Sequence, residues 1–138
     1  MAEPKISRQL LQQRIRNRMI EYLELAASAE EQREYERRTP IAVIPNEVIN
    51  QWEDIVNADD WDWYSEPVFS AEESEAIRSF HAVWLAVIDE TPEPMPYTID
   101  ALIGTSAWNR LMVAARDTLR VLSLRGRFDE EREQRFRE

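Results

Sequence analysis

Apolar residues recur along this chain at helical spacing in four stretches, separated by prolines and short polar runs. Leu11, Ile15, Met19, Tyr22 and Ala26 are spaced 4, 4, 3 and 4 apart, which aligns them on one helical face. Ser7 is a suitable N-cap, and the chain after Ala26 keeps to helix formers, so the pattern predicts one long helix from Arg8 to Arg38. After Ala29 the stripe fades to Tyr35, and pairs such as Glu30 with Arg33 and Glu34 with Arg38 support that end. At 1.5 Å per residue the helix would be about 45 Å long, and its far end would project from the core or pack on a second subunit.

Pro40 and Pro45 predict an extended break over Thr39–Pro45, with a short strand at Ile41–Ile44 as the alternative. Asn46 then caps a helix to Asn57, with Val48, Ile49, Trp52, Ile55 and Val56 inward. Ala58 to Phe69 reads as loop. Ser70-Ala71-Glu72-Glu73 has the spacing of a capping box and opens a helix to Asp89. Pro92, Pro94 and Pro96 impose an extended link, and Ile99 to Ile103 forms a short turn. Ser106 caps a last helix to Arg125, with Trp108, Leu111, Met112, Ala115, Leu119 and Leu122 inward and Gly126 as its C-cap. Arg127 to Glu138 is almost wholly charged and reads as a helical extension or a frayed tail, and residues 1–6 as frayed too. The expected fold is all-α: a single-domain irregular antiparallel helical bundle of four to five helices over residues 1–138.

Composition supports that class and narrows the chemistry. The 138 residues include two glycines, no cysteine and one histidine. Glycine scarcity leaves no GxGxxG, no GxxxxGK[ST] and no GxSxG motif. Without cysteine there is no disulfide framework, thiolate zinc site or cysteine nucleophile. No apolar run reaches membrane-spanning length, and residues 1–20 lack the apolar core of a secretory leader. A cytoplasmic setting is the expectation, with no cofactor.

Charge changes the picture more. The chain carries −10 overall, with 27 acids against 17 basic residues. Residues 39–77 alone hold ten acids and neither Lys nor Arg, while residues 1–20 and 101–138 are mildly basic. Partial compensation is expected from Arg14, Arg16 and Arg18, or from Arg116 and Arg120. An acidic remainder would steer a basic partner, and direct nucleic-acid binding is disfavoured.

Candidate chemistry concentrates in Asp59-Asp60-Trp61-Asp62-Trp63-Tyr64-Ser65-Glu66. Ring faces beside carboxylates suit an ammonium or guanidinium group. The expected partner-binding residues are Glu53, Asp54, Asp59, Asp60, Trp61, Asp62, Trp63, Tyr64 and Glu66. The same run lacks the glycine and terminal glutamate of a calcium loop. Glu21/Glu24, Glu31/Glu34 and Glu72/Glu75 share the ExxE spacing of all-α Mg²⁺ hydrolases, but 19 glutamates make such pairs unavoidable by chance. His81 has no ligand or nucleophile spacing around it and reads as a core-edge residue.

The leading expectation is therefore a non-catalytic interaction or regulatory protein that binds a basic protein partner. Antagonists that mask a basic surface, immunity-type proteins among them, share this charge character, which is an analogy of composition. The alternatives are a self-assembling helical protein that forms a homodimer through the long first helix, and a carboxylate–Mg²⁺ hydrolase.

Overall fold

Ser28 divides what the apolar pattern predicts as one helix. In a computed structural model, which describes residues 6–136, α1 is Arg8–Ala26 and α2 is Ala29–Arg38. The Ser28 hydroxyl accepts from the Glu31 N–H at 3.1 Å and starts α2 afresh. The C-terminal carbonyls of α1 would be orphaned at such a break. Buried Gln32 donates to Leu25 O and Ala26 O at 3.1 and 3.2 Å, and Arg116 donates to Ala27 O at 3.0 Å. Gln32 also accepts from the Trp108 indole at 2.9 Å, which ties the elbow to the core.

The other elements are α3 (Ile44–Ile55), α4 (Ala71–Glu90) and α5 (Ser106–Ser123), with 3₁₀ turns at Trp61–Trp63 and Ile99–Ala101. The result is all-α, five helices with a long first one and no strand among the described residues. Pro45 does not break α3 but sits in its first turn, where a missing N–H costs nothing. The α3 N-cap is accordingly Val43 rather than Asn46, and that of α5 is Thr105 rather than Ser106. The Ser70 box forms as expected, with Ser70 Oγ accepting from Glu73 N at 3.1 Å and Glu73 Oε1 from Ser70 N at 2.9 Å. Gly126, at φ +75°, adopts the left-handed turn that ends α5.

Helix α5 runs antiparallel to both α1 and α4. Contacts between Arg16 and Leu122 and between Arg116 and Ala27 fix α1 against α5. Thr118 to Ala76 and Arg110 to Glu90 fix α5 against α4. Tyr22 donates to Val48 O at 2.6 Å and joins Trp52 and Phe80 in an aromatic cluster with centroids 4.8–6.1 Å apart. No helix among the described residues is long and apolar enough to cross a membrane.

Two further features lie outside the helical pattern. The tail is neither helical nor frayed between residues 127 and 136. It runs along α1, held by amides spaced four apart on that helix. Gln13 donates to Asp129 O and Arg132 O at 2.7 and 2.8 Å, and accepts from Gln134 N at 2.8 Å. Asn17 accepts from Phe128 N and donates to Phe128 O, at 2.9 and 2.8 Å, while Gln9 donates to Gln134 O. Residues 1–5, 137 and 138 lie outside the described residues.

The second feature is a buried ion triad. Arg16 is fully buried on α1 and forms a bidentate pair with Glu73 at 2.9 and 2.8 Å. Arg125 adds a contact to Glu73 at 2.5 Å, and both guanidiniums lie over the Phe128 ring at 4.2 and 5.1 Å. The remaining Arg16 donors meet Val68 O, Leu122 O and Gly126 O, so the charge is satisfied on every side.

Candidate functional site

The acidic-aromatic run leaves the end of α3 and is pinned to the core by Tyr64. That ring is buried, and its hydroxyl accepts from the Asn57 N–H at 2.7 Å. Burial pushes the Tyr64 phenol up, the Asn57 hydrogen bond works against this, and the nearby Asp60 charge adds to it. Asn57 Oδ1 accepts from Asp59 N at 3.0 Å and turns the chain. Gln12 of α1 donates to Trp63 O at 2.5 Å, anchoring the far side of the 3₁₀ turn.

The two exposed-edge tryptophans have different surroundings. Trp61 contacts His81 edge-on at 5.2 Å and Tyr64 at 5.8 Å, and the Arg78 guanidinium lies 5.8 Å from its centroid. His81 stacks on Trp84 at 5.4 Å and accepts at Nδ1 from the Trp52 indole at 3.1 Å. An indole N–H only donates, so this nitrogen is unprotonated. Desolvation by burial lowers the His81 pKa, consistent with a neutral ring in the core edge. Trp63 packs on Tyr64 at 5.1 Å and lines a small open cavity of about 210 Å³ with Leu11, Ile15, Ile55, Asn57 and Asp60.

The structure thus sorts the candidate residues. Glu53 and Asp54 on α3, and Asp59, Asp60, Asp62 and Glu66 in the loop, are exposed. Trp61 and Trp63 are half-buried, and Tyr64 belongs to the core, where it positions the loop. Of the ten acids in residues 39–77, nine form no ion pair among the described residues; the exception is Glu73. Of the arginines expected to compensate this stretch, Arg16 does so at Glu73, and three others are engaged elsewhere. Arg14 donates to Glu130 O, Arg116 to Ala27 O, and Arg120 pairs with Asp117.

Glu21, Glu24 and Glu31 join this acidic region, which periodicity alone does not reveal. With Asp54, Tyr35, Arg18 and Arg38 they line a cavity of about 830 Å³ between α1, α2 and α3. Ile55 lines this cavity and the Trp63 notch alike, so the two adjoin. The helix break at Ser28 is what swings Glu31 and Arg38 into place. Among the described residues no three of His, Asp and Glu converge as a metal-holding group. Comparison with protein-family models, with curated proteins and with solved structures finds no match for this chain.

Proposed function

We propose that this chain is a non-catalytic interaction protein whose acidic face binds a basic surface on another protein, in the manner of an antagonist that masks it. The carrying observation is that nine of the ten acids in residues 39–77 have no ion-pair partner among the described residues. Their field adds outward instead of closing on the protein's own arginines, and such a field accelerates encounter with an oppositely charged patch. Helix α3 carries Glu53 and Asp54, and the loop that carries Asp59, Asp60, Asp62 and Glu66 is anchored by Tyr64, an ordered frame that lowers the ordering cost on binding.

The test is kinetic. A basic partner recovered by co-purification should associate about tenfold more slowly at low salt with the Asp59→Asn, Asp60→Asn, Asp62→Asn variant, and the gap should close at high salt. Equal on-rates at low salt would sink the reading.

Self-association is a second reading, carried by a different surface. α1 ends at Ala26, so no projecting end of a long first helix is available. Exposed apolar surface lies instead between α4 and α5, in a groove of about 470 Å³ walled by Val83, Ala86, Val113 and Ala114. Val113, one of these walls, is half-exposed. A twofold dimer on this groove should persist in sedimentation at tens of micromolar; a monomer there removes the reading.

A further inference from the structure

We infer that the notch beside Trp63 is the receptor for one arginine side chain of the basic partner, an inference that rests on the acidic-face reading above. A volume of about 210 Å³ is several waters' worth, at about 30 Å³ each, and falls below the roughly 300 Å³ at which pockets for drug-sized ligands begin. It has room for a single long side chain and none for a nucleotide or a folded cofactor.

The walls match arginine part by part. Leu11 and Ile15, one helical turn apart on α1, and Ile55 at the end of α3 offer aliphatic surface for the three-carbon stem. Trp63 and Tyr64 supply ring surface, and Asp60 supplies a carboxylate that accepts no side-chain or backbone hydrogen bond among the described residues. A flat guanidinium can stack on an indole and meet a carboxylate through two N–H groups together, which an ammonium cannot. Elsewhere the protein holds its own arginines in the same way, with Arg16 and Arg125 between the Glu73 carboxylate and the Phe128 ring.

The structure also separates the two loop tryptophans. The Trp61 ring already has Arg78 and His81 against it, whereas no cation of the described residues lies over Trp63. Leu11, 44 % exposed although it sits in the apolar stripe of α1, forms part of the wall instead of packing inward.

The probes are N-acetyl-argininamide and its neutral isostere N-acetyl-citrullinamide, followed through the tryptophan indole N–H resonances. The arginine probe should shift the Trp63 signal saturably and more than that of Trp61, and citrulline should not. Asp60→Asn should weaken the arginine probe about tenfold, the size of one charge-assisted hydrogen bond. Leu11→Lys, at a half-exposed site, should abolish the shift by filling the notch from within. An unmoved Trp63 signal, or equal shifts from citrulline or in Asp60→Asn, overturns the inference. An arginine-rich decapeptide separates it from the broader reading. If Asp59→Asn with Asp62→Asn slows the decapeptide while Asp60→Asn and Leu11→Lys do not, the notch falls and the acidic face stands. If none of these variants slows it, both fall.

Discussion

The tetrapeptide Ser-Ala-Glu-Glu occurs twice, at 28–31 and at 70–73, and the two copies end in different chemistry. Both serines cap a helix, each accepting from the N–H of the second glutamate at 3.1 Å. The local instruction is the same and is obeyed twice. The glutamates then diverge. Glu31 is exposed beside an acidic cavity, whereas Glu73 is buried, completes its capping box and receives two guanidiniums. Local sequence starts the helix; what arrives from α1 and the end of α5 decides whether the fourth residue is a surface charge or the centre of the fold.

The largest effect should expose that asymmetry. Glu73→Ala leaves Arg16 buried without a counterion and should cost about 3–5 kcal/mol in denaturant unfolding, while Glu31→Ala should stay within about 0.5 kcal/mol. Equal losses would break the comparison. Replacing both charges, as Arg16→Met with Glu73→Leu, should not restore full stability. Arg16 also serves the carbonyls of Val68, Leu122 and Gly126, and these would be left without their donor.

Acid should act through the same residue. Burial on its own would raise the Glu73 carboxyl and is the largest single influence; hydrogen bonds from Arg16, Arg125 and Ser70 outweigh it and bring the pKa from 4.5 down to about 2. A depressed folded-state value means that the contribution, about 3 kcal/mol, is present above pH 4.5 and is lost as pH falls through 2. Stability measured across that interval should therefore fall less steeply in Glu73→Gln than in the wild type. Parallel profiles would remove Glu73 as an acid-sensitive support.

The serines sharpen the comparison from the other side. Ser28→Ala and Ser70→Ala should each cost about 1 kcal/mol, because each deletes one N-cap acceptor and nothing else. A much larger loss at Ser70 would show that the cap and the ion triad act as one unit, and a double variant with Glu73 would measure the coupling.

How much was readable in advance follows the same division between local and distant causes. The α4 boundary is plain because Ser70, Glu73 and the arc from Ile77 to Val87 agree. The break at Ala27 carries the identical signal, but Ala, Glu and Arg on both sides are good helix formers and hide it. Pro45 is ambiguous because proline both ends helices and begins them. The strapped tail shows little in its own composition beyond Phe128 and Phe136, since α1 grips mainly its backbone. The clearer trace lies in Gln9, Gln13 and Asn17, four apart and beside the apolar stripe. The acidic-aromatic loop was visible as a run of residues, but that its carboxylates stay exposed and unpaired among the described residues depends on where the folded chain places its arginines. The notch was not visible, because it needs Leu11, Ile55 and Trp63 to meet from three separate segments.

The smallest expected effect concerns the acids that carry no structural duty. Asp59, Asp60 and Asp62 are exposed and make no ion pair among the described residues, so replacing all three by asparagine removes no attraction that holds the fold. It does remove repulsion, since the chain carries −10 and these three lie within four residues of one another. The triple variant should therefore melt at the same temperature as the wild type or slightly above it at low salt, by no more than the equivalent of about 0.5 kcal/mol, and the difference should vanish as salt rises. A clear loss of stability would place these carboxylates with Glu73 as supports of the structure. Unchanged or improved stability with slower binding would place them with Glu31, as charge held on the surface at a small cost to the fold, which is how residues kept for an encounter differ from residues kept for packing.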